Sequence, residues 1–202
     1  MNVFVLNESP ELSAQEQCDK HVVKMPTESA QMLSTAHRLL DGELMLLPVV
    51  DDDGNQVYLK SGKPKTKKHW DLYRGRDDLE AEMMYYKAVH MAHPCTIWTM
   101  ESEENYRWHW EHFFALCEEY TYRYGRIHGA MKLLHPLRTP PRNIPKGVGM
   151  TPFPLAMKSN PECMFPEDPI KSYRMFYQTK QDRFKMTWTA RTVPEWFERR
   201  AA

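Results

Sequence analysis

The sequence predicts a mainly α fold, a single domain over residues 1–202 with about four to six helices. A small β-hairpin excursion (48–70) and a long proline-rich irregular segment (136–169) complete the prediction. Three observations carry it. Apolar residues recur at three- and four-residue spacing over several long stretches. Strand-like patterning is confined to short pieces. Nine of the 15 prolines fall within residues 136–169. A hydrophobic content of 42% with zero formal net charge excludes intrinsic disorder.

Val3–Leu6 is a short apolar run, read as a strand or an extended arm. Ser13-Ala14-Gln15-Glu16 has the form of a capping box, and a helical pattern follows to about Leu40. Val22, Met25, Ser29, Ala30, Met32, Leu33, Ala36 and Leu40 fall on one side. Lys20, Lys24, Thr27, Glu28, Gln31, Thr35 and Arg38 fall on the other. Pro26 should kink or split this helix.

Asp53-Gly54 and Ser61-Gly62 mark turns either side of a strand-like Gln56–Leu59. Lys60, Lys63, Lys65, Lys67 and Lys68 make the second turn a basic loop. Residues 77–91 read as a second helix ended by His93-Pro94. A third helix runs from about Ser102 to Tyr124 with Gly125 as its C-cap. Asp168-Pro169 opens the last helix, whose core face is Tyr173, Phe176 and Tyr177. Trp196 and Phe197 should dock the C-terminal segment on the body.

No apolar run approaches the roughly 20 residues that span a bilayer. The N-terminus lacks the basic start and apolar stretch of a signal peptide. A cytoplasmic location follows, the host cytoplasm if the protein is viral. The four cysteines form no CxxC motif and are expected as free thiols. With 8 glycines and no glycine-rich phosphate loop, no cofactor is expected. The neutral total hides segregation: residues 59–76 hold seven basic side chains against one acidic, and residues 120–202 hold 15 against six. Such a chain can offer a local surface to a polyanion.

The densest functional group is Asp19, Lys20, His21 and Lys24, followed by Glu28. A carboxylate beside lysines stays ionised and serves as a base or stabilises a cation, and a lysine among cations can be a nucleophile. The same letters also suit an ordinary solvated helix face. Arg123 and His128, around a glycine turn, are candidate phosphate contacts. Lys171, Arg174 and Lys180, interleaved with aromatics, are candidate nucleic-acid contacts. His90/His93 and His109/His112 are i,i+3 pairs on predicted helices, a spacing that can serve a metal, although no fixed ligand motif accompanies them.

Cys18–Met25 (CDKHVVKM), His93-Pro94, Glu119–Gly125, Thr151-Pro152-Phe153 and Pro194–Phe197 together resemble a group of phage-encoded proteins of unassigned function. The order of parts is also similar to the pyrimidine-dimer DNA glycosylases of the endonuclease V type. That resemblance implies a small, mainly α protein in which an N-terminal amine attacks the sugar C1′ and a glutamate assists. Glu28 would take the glutamate role, with Asp19 as second choice, and His21, Lys24 and Arg123 would contact the DNA backbone. Met1-Asn2 departs from that family, which exposes a small residue by removing Met, so Lys20 or Lys24 would supply the amine instead. The reading that follows is a phage-type enzyme acting on DNA or a nucleotide at an N-glycosidic bond, with His21 as proton shuttle. Its rivals are a non-catalytic protein that binds nucleic acid or a host protein, and a metal-dependent hydrolase built on the histidine pairs. No membrane partner is expected.

Overall fold

The computed structural model describes residues 2–199. Its first segment, Val3–Leu6, is buried but pairs with no strand. Ser13 anchors it instead, donating to the Phe4 carbonyl at 2.8 Å and accepting from the Leu6 N–H at 3.0 Å. The expected capping box is therefore absent. Ser13 lies inside α1 (Pro10–Gln15), whose N-cap is Ser9 with proline at the start.

α2 spans Asp19–Asp41 as one helix, so Pro26 does not split it. A proline inside a helix costs about 3 kcal/mol. Here the ring is buried and the helix packs on several sides, against α5 (Pro94–Glu101) and α6 (Glu103–Tyr124) among others, which offsets that cost. The predicted apolar side is inside, but so are Thr35, His37 and Arg38.

The β excursion begins earlier than expected. β1 (Glu43–Pro48) pairs antiparallel with β2 (Thr66–Asp71), in a register running from Glu43 opposite Asp71 to Pro48 opposite Thr66. Beyond the ribbon lie two small hairpins turning at Gly54 and Gly62, both at positive φ. The Gln56 amide ties them together by donating to the carbonyls of Val49, Val57 and Lys65. All five lysines expected in a basic loop are exposed, but Lys67 and Lys68 lie in β2. At the ribbon base, the chain passes so close to α3 (Leu72–Arg76) that a Cβ on Gly75 would meet the Asp41 carbonyl at 2.2 Å.

The helix expected over 77–91 is only α4 (Leu79–Met84). The buried Arg38 guanidinium accounts for the shortfall: it takes the carbonyls of Glu82, Tyr85 and Tyr86, which would otherwise continue the helix ladder. His93-Pro94 then opens α5 rather than closing a helix, with His93 Nδ1 accepting from the Cys95 N–H. α6 matches its expected limits, with Ser102 as N-cap and Gly125 at φ 61 as C-cap. α7 (Pro169–Gln178) is capped by Asp168, and Tyr173, Phe176 and Tyr177 are buried as expected. Residues 136–169 are irregular apart from a single turn of three-ten helix at Pro161–Cys163.

α2 and α6 divide two cores. One gathers Phe4, Leu6, Met25, Trp98, Leu116, Tyr173, Tyr177 and Phe197. The other gathers Leu33, Ala36, Leu72, Tyr106, Phe113 and Leu133. Cys18, Cys95 and Cys163 belong to the first and Cys117 to the second, all as free buried thiols. No helix among the described residues is long and apolar enough to cross a membrane.

Candidate functional site

The polar face of α2 opens onto a cleft of about 580 Å³. Lys20, His21, Lys24 and Glu28 line it from the helix, and Asn2 and Phe4 from the N-terminal arm. Phe176, Lys180, Arg183 and Phe184 close the opposite side. The spacing of Lys20, Lys24 and Glu28 at i, i+4 and i+8 places them on one stripe. The cleft thus brings together four of the five candidate catalytic residues and one nucleic-acid candidate, Lys180.

Four cations face one carboxylate here. Lys24 pairs with Glu28 at 2.8 Å; the lysine side chain is 64% exposed and the glutamate 11%. Lys20 lies over the Phe184 ring at 4.4 Å, and Lys180 over the Phe176 ring at 3.4 Å. Burial, with Arg183 nearby, lowers the Lys180 ammonium to about 8.

His21 stacks on Phe4 with centroids 4.5 Å apart. Its Nδ1 lies 2.7 Å from the Tyr177 hydroxyl, which also accepts from the Cys18 N–H at 2.8 Å. When the hydroxyl donates its proton to Nδ1, the neutral ring carries its own proton on Nε2. Burial, then the charges of Lys180 and Lys24, push its pKa to about 3. A proton shuttle at neutral pH needs a pKa near 7, and burial holds this ring neutral well below that.

Asp19 is outside the cleft. Its carboxylate accepts from Arg123, from the Thr187 and Thr189 hydroxyls and from the Thr189 N–H. Burial acts against this charge, but these bonds hold the carboxyl below its usual range. It clamps the C-terminal segment to α2. Arg123 is likewise internal, bound to Glu119 at 2.6 Å, Asp19 at 2.9 Å and the Gln15 carbonyl at 2.9 Å. Its side chain has no exposed surface to give a phosphate. His128 caps the turn Gly129–Leu133 through Nδ1 and reaches the Val23 carbonyl through Nε2.

Lys171 and Arg174 line a different cleft, of about 640 Å³, with Asp168, Trp196, Glu198 and Arg199. Its charges are nearly matched, and Arg174 is spent on the Leu6 carbonyl at 2.8 Å. A third cleft, of about 610 Å³, is acidic, with Glu11, Glu111, Glu118 and Glu119 around Arg191. Of the three, the α2 cleft alone combines excess cations with a shielded carboxylate and several rings.

The histidine pairs do not make a metal centre. His90 is exposed at φ 49 and His93 is a helix cap, so neither lies in the helix expected for them. His109 Nδ1 is 2.7 Å from the Thr99 hydroxyl, and His112 bonds the Pro10 carbonyl and Gln17. Burial holds them neutral, at about 3 and about 4. Ligand atoms of His69, Asp71 and Glu82 do come within 4.8 Å of one another. Glu82, however, already accepts from Arg38 at 2.6 Å, the Leu72 N–H at 3.0 Å, Lys87 at 2.9 Å and His69 at 3.0 Å. Burial opposes its charge, but these donors bring the Glu82 carboxyl down to about 2. The group is an ion-pair network that closes the ribbon base.

Arg183 continues the series of cations among aromatics to which Lys171, Arg174 and Lys180 belong, whereas no motif marked Asn2 as a cleft residue. Asn2 and Arg183 are 181 positions apart and meet only through the packing of the arm on α7. No protein-family model, curated protein or solved structure matches this chain.

Proposed function

We propose that the α2 cleft is the active site of an enzyme that cleaves or exchanges an N-glycosidic bond in DNA or a nucleotide. The observation that carries this is the composition of the cleft: one shielded carboxylate, Glu28, among Lys20, Lys24, Lys180 and Arg183, with Phe4, Phe176 and Phe184 in the walls. The cations suit phosphate, the rings suit a base, and the carboxylate suits the positive charge that grows on the sugar as the bond breaks. With the Tyr177 hydroxyl donating to Nδ1, His21 Nε2–H supplies a donor for a carbonyl or phosphate oxygen.

The test is release of free base, followed by chromatography, from duplexes carrying damaged or modified bases and from nucleoside monophosphates. Wild type is expected to release base from at least one of these, and Glu28→Gln to lose that release. Full release by Glu28→Gln overturns the assignment. A second reading, nucleic-acid binding without turnover, is favoured by the five exposed lysines of the ribbon and its tip. Salt-sensitive duplex binding with no base release from any substrate supports it instead.

A further inference from the structure

Lys180 stands apart from the other cations of the cleft. It sits in the three-ten turn Thr179–Asp182 directly after α7, and the whole residue is 8% exposed. Its Nζ rests against the face of Phe176. The groups acting on it are Arg183, which opposes its charge, and the Cys163 thiol, which favours it weakly. Across the cleft are Lys20, Lys24, Glu28 and the neutral ring of His21. Glu28 pairs with Lys24, which is largely in solvent, and Lys20 is exposed. Lys180 is therefore a desolvated amine at a ring-lined wall, amid cations that gather an anionic substrate.

We propose that Lys180 is the amine nucleophile of this cleft, forming an imine with C1′ of a deoxyribose held by its phosphates. For its substrate the proposal rests on the N-glycosidic reading above; the reactivity of the amine toward a sugar aldehyde does not. In the first step the Nζ lone pair bonds to C1′ as the bond from C1′ to the base breaks. The base leaves with that electron pair. The proton lost by the amine passes to Glu28 and from there to the leaving base. In the second step the nitrogen lone pair forms a double bond to C1′, the bond from C1′ to the ring oxygen breaks, and that oxygen takes a proton from water. Addition of water to the resulting iminium returns the amine and leaves an abasic sugar, so the sum is hydrolysis. The lowered pKa adds that about one Lys180 in ten is the free amine at pH 7.

The experiment uses the full chain and a duplex containing one abasic site, which presents C1′ as an aldehyde. Cyanoborohydride reduces any imine to a stable adduct, and peptide mass mapping locates it. One dominant adduct at Lys180 is expected, with a formation rate that rises with pH through about 8. Lys180→Arg should cut that rate at least about 100-fold. A dominant adduct at Lys20, Lys24 or any other amine overturns the proposal, as does undiminished trapping in Lys180→Arg. Mapping on wild type gives this answer even if the variant folds poorly. Base release without a Lys180 adduct keeps the N-glycosidic reading and removes this amine. A Lys180 adduct without base release from any substrate keeps the amine and removes that reading. The absence of both removes both.

Discussion

At its C-terminal half α2 buries Arg38 completely, and the guanidinium is met by the Glu82 carboxylate and four backbone carbonyls. Close by, Arg76 binds Asp41 at 3.0 Å and Asp78 at 2.9 Å, and donates to His37 Nδ1. At its N-terminal half the same helix offers Lys20, Lys24 and Glu28 to an open cleft where cations outnumber carboxylates. Both halves desolvate charge, but the first answers each charge and the second leaves a surplus. A satisfied network fixes one geometry. A surplus held against aromatic walls is a standing attraction for an anion.

The largest expected effect cuts across both halves. His21 and His37 on α2, and His109 on α6, are held neutral with pKa values near 3, and His112 near 4. Their unfolded pKa is about 6.5. Above that value neither state is protonated and the full stability is present. Below it only the unfolded chain takes up protons, so stability falls with pH until the folded values are reached. Each histidine then costs about 1.4 kcal/mol per pH unit. Urea midpoints measured at pH 7, 6 and 5 should drop steeply, several kcal/mol in all; a flat profile would show that these rings are hydrated.

Next in size is the satisfied network itself. Arg38→Ala removes the buried partner of Glu82, leaving that carboxylate to Lys87 and His69, and strips four backbone carbonyls of their donor, and should lower the unfolding free energy by about 3–5 kcal/mol. Lys24→Ala removes a pair whose lysine is 64% exposed and should cost no more than about 1 kcal/mol. Equal losses in denaturant melts would erase the contrast between the two halves. Glu28→Gln sharpens it from the other side, with turnover reduced about 10²–10⁴-fold while the midpoint scarcely moves. The smallest effect belongs to the ribbon tip, where Lys63→Glu with Lys65→Glu should weaken duplex binding and flatten its salt dependence without altering stability. Unchanged binding at low salt would remove the ribbon from the interface.

The parts legible in the sequence were those decided locally. Ser102, Gly125 and Asp168-Pro169 set helix ends within a turn of themselves, and the structure agrees. Lys20, Lys24 and Glu28 were legible as one face because helical spacing alone puts them together. Arg38 lay on the same polar stripe yet is fully buried, because its partners lie 32 to 48 positions further along the chain. The same long-range bonds shortened the helix expected after residue 77. Ser13 illustrates the opposite error: the letters of a capping box were present, but the hydroxyl was taken by the N-terminal arm. The cleft as a whole was not legible, since Asn2 and Arg183 reach it only through tertiary packing.

The four thiols give this molecule a built-in record of how it opens. Burial pushes Cys95 up to about 11 and Cys117 up to about 12, and raises Cys18 and Cys163 as well, so alkylation must wait for exposure. Cys18 and Cys95 stand behind the N-terminal arm and the start of α2, Cys163 beside α7, and Cys117 in the core on the other side of the helix pair. The order in which these positions acquire a label under native conditions is therefore a chronology: early modification of Cys18 and Cys95 reports breathing at the arm, whereas simultaneous modification of all four reports a chain that comes apart only as a whole.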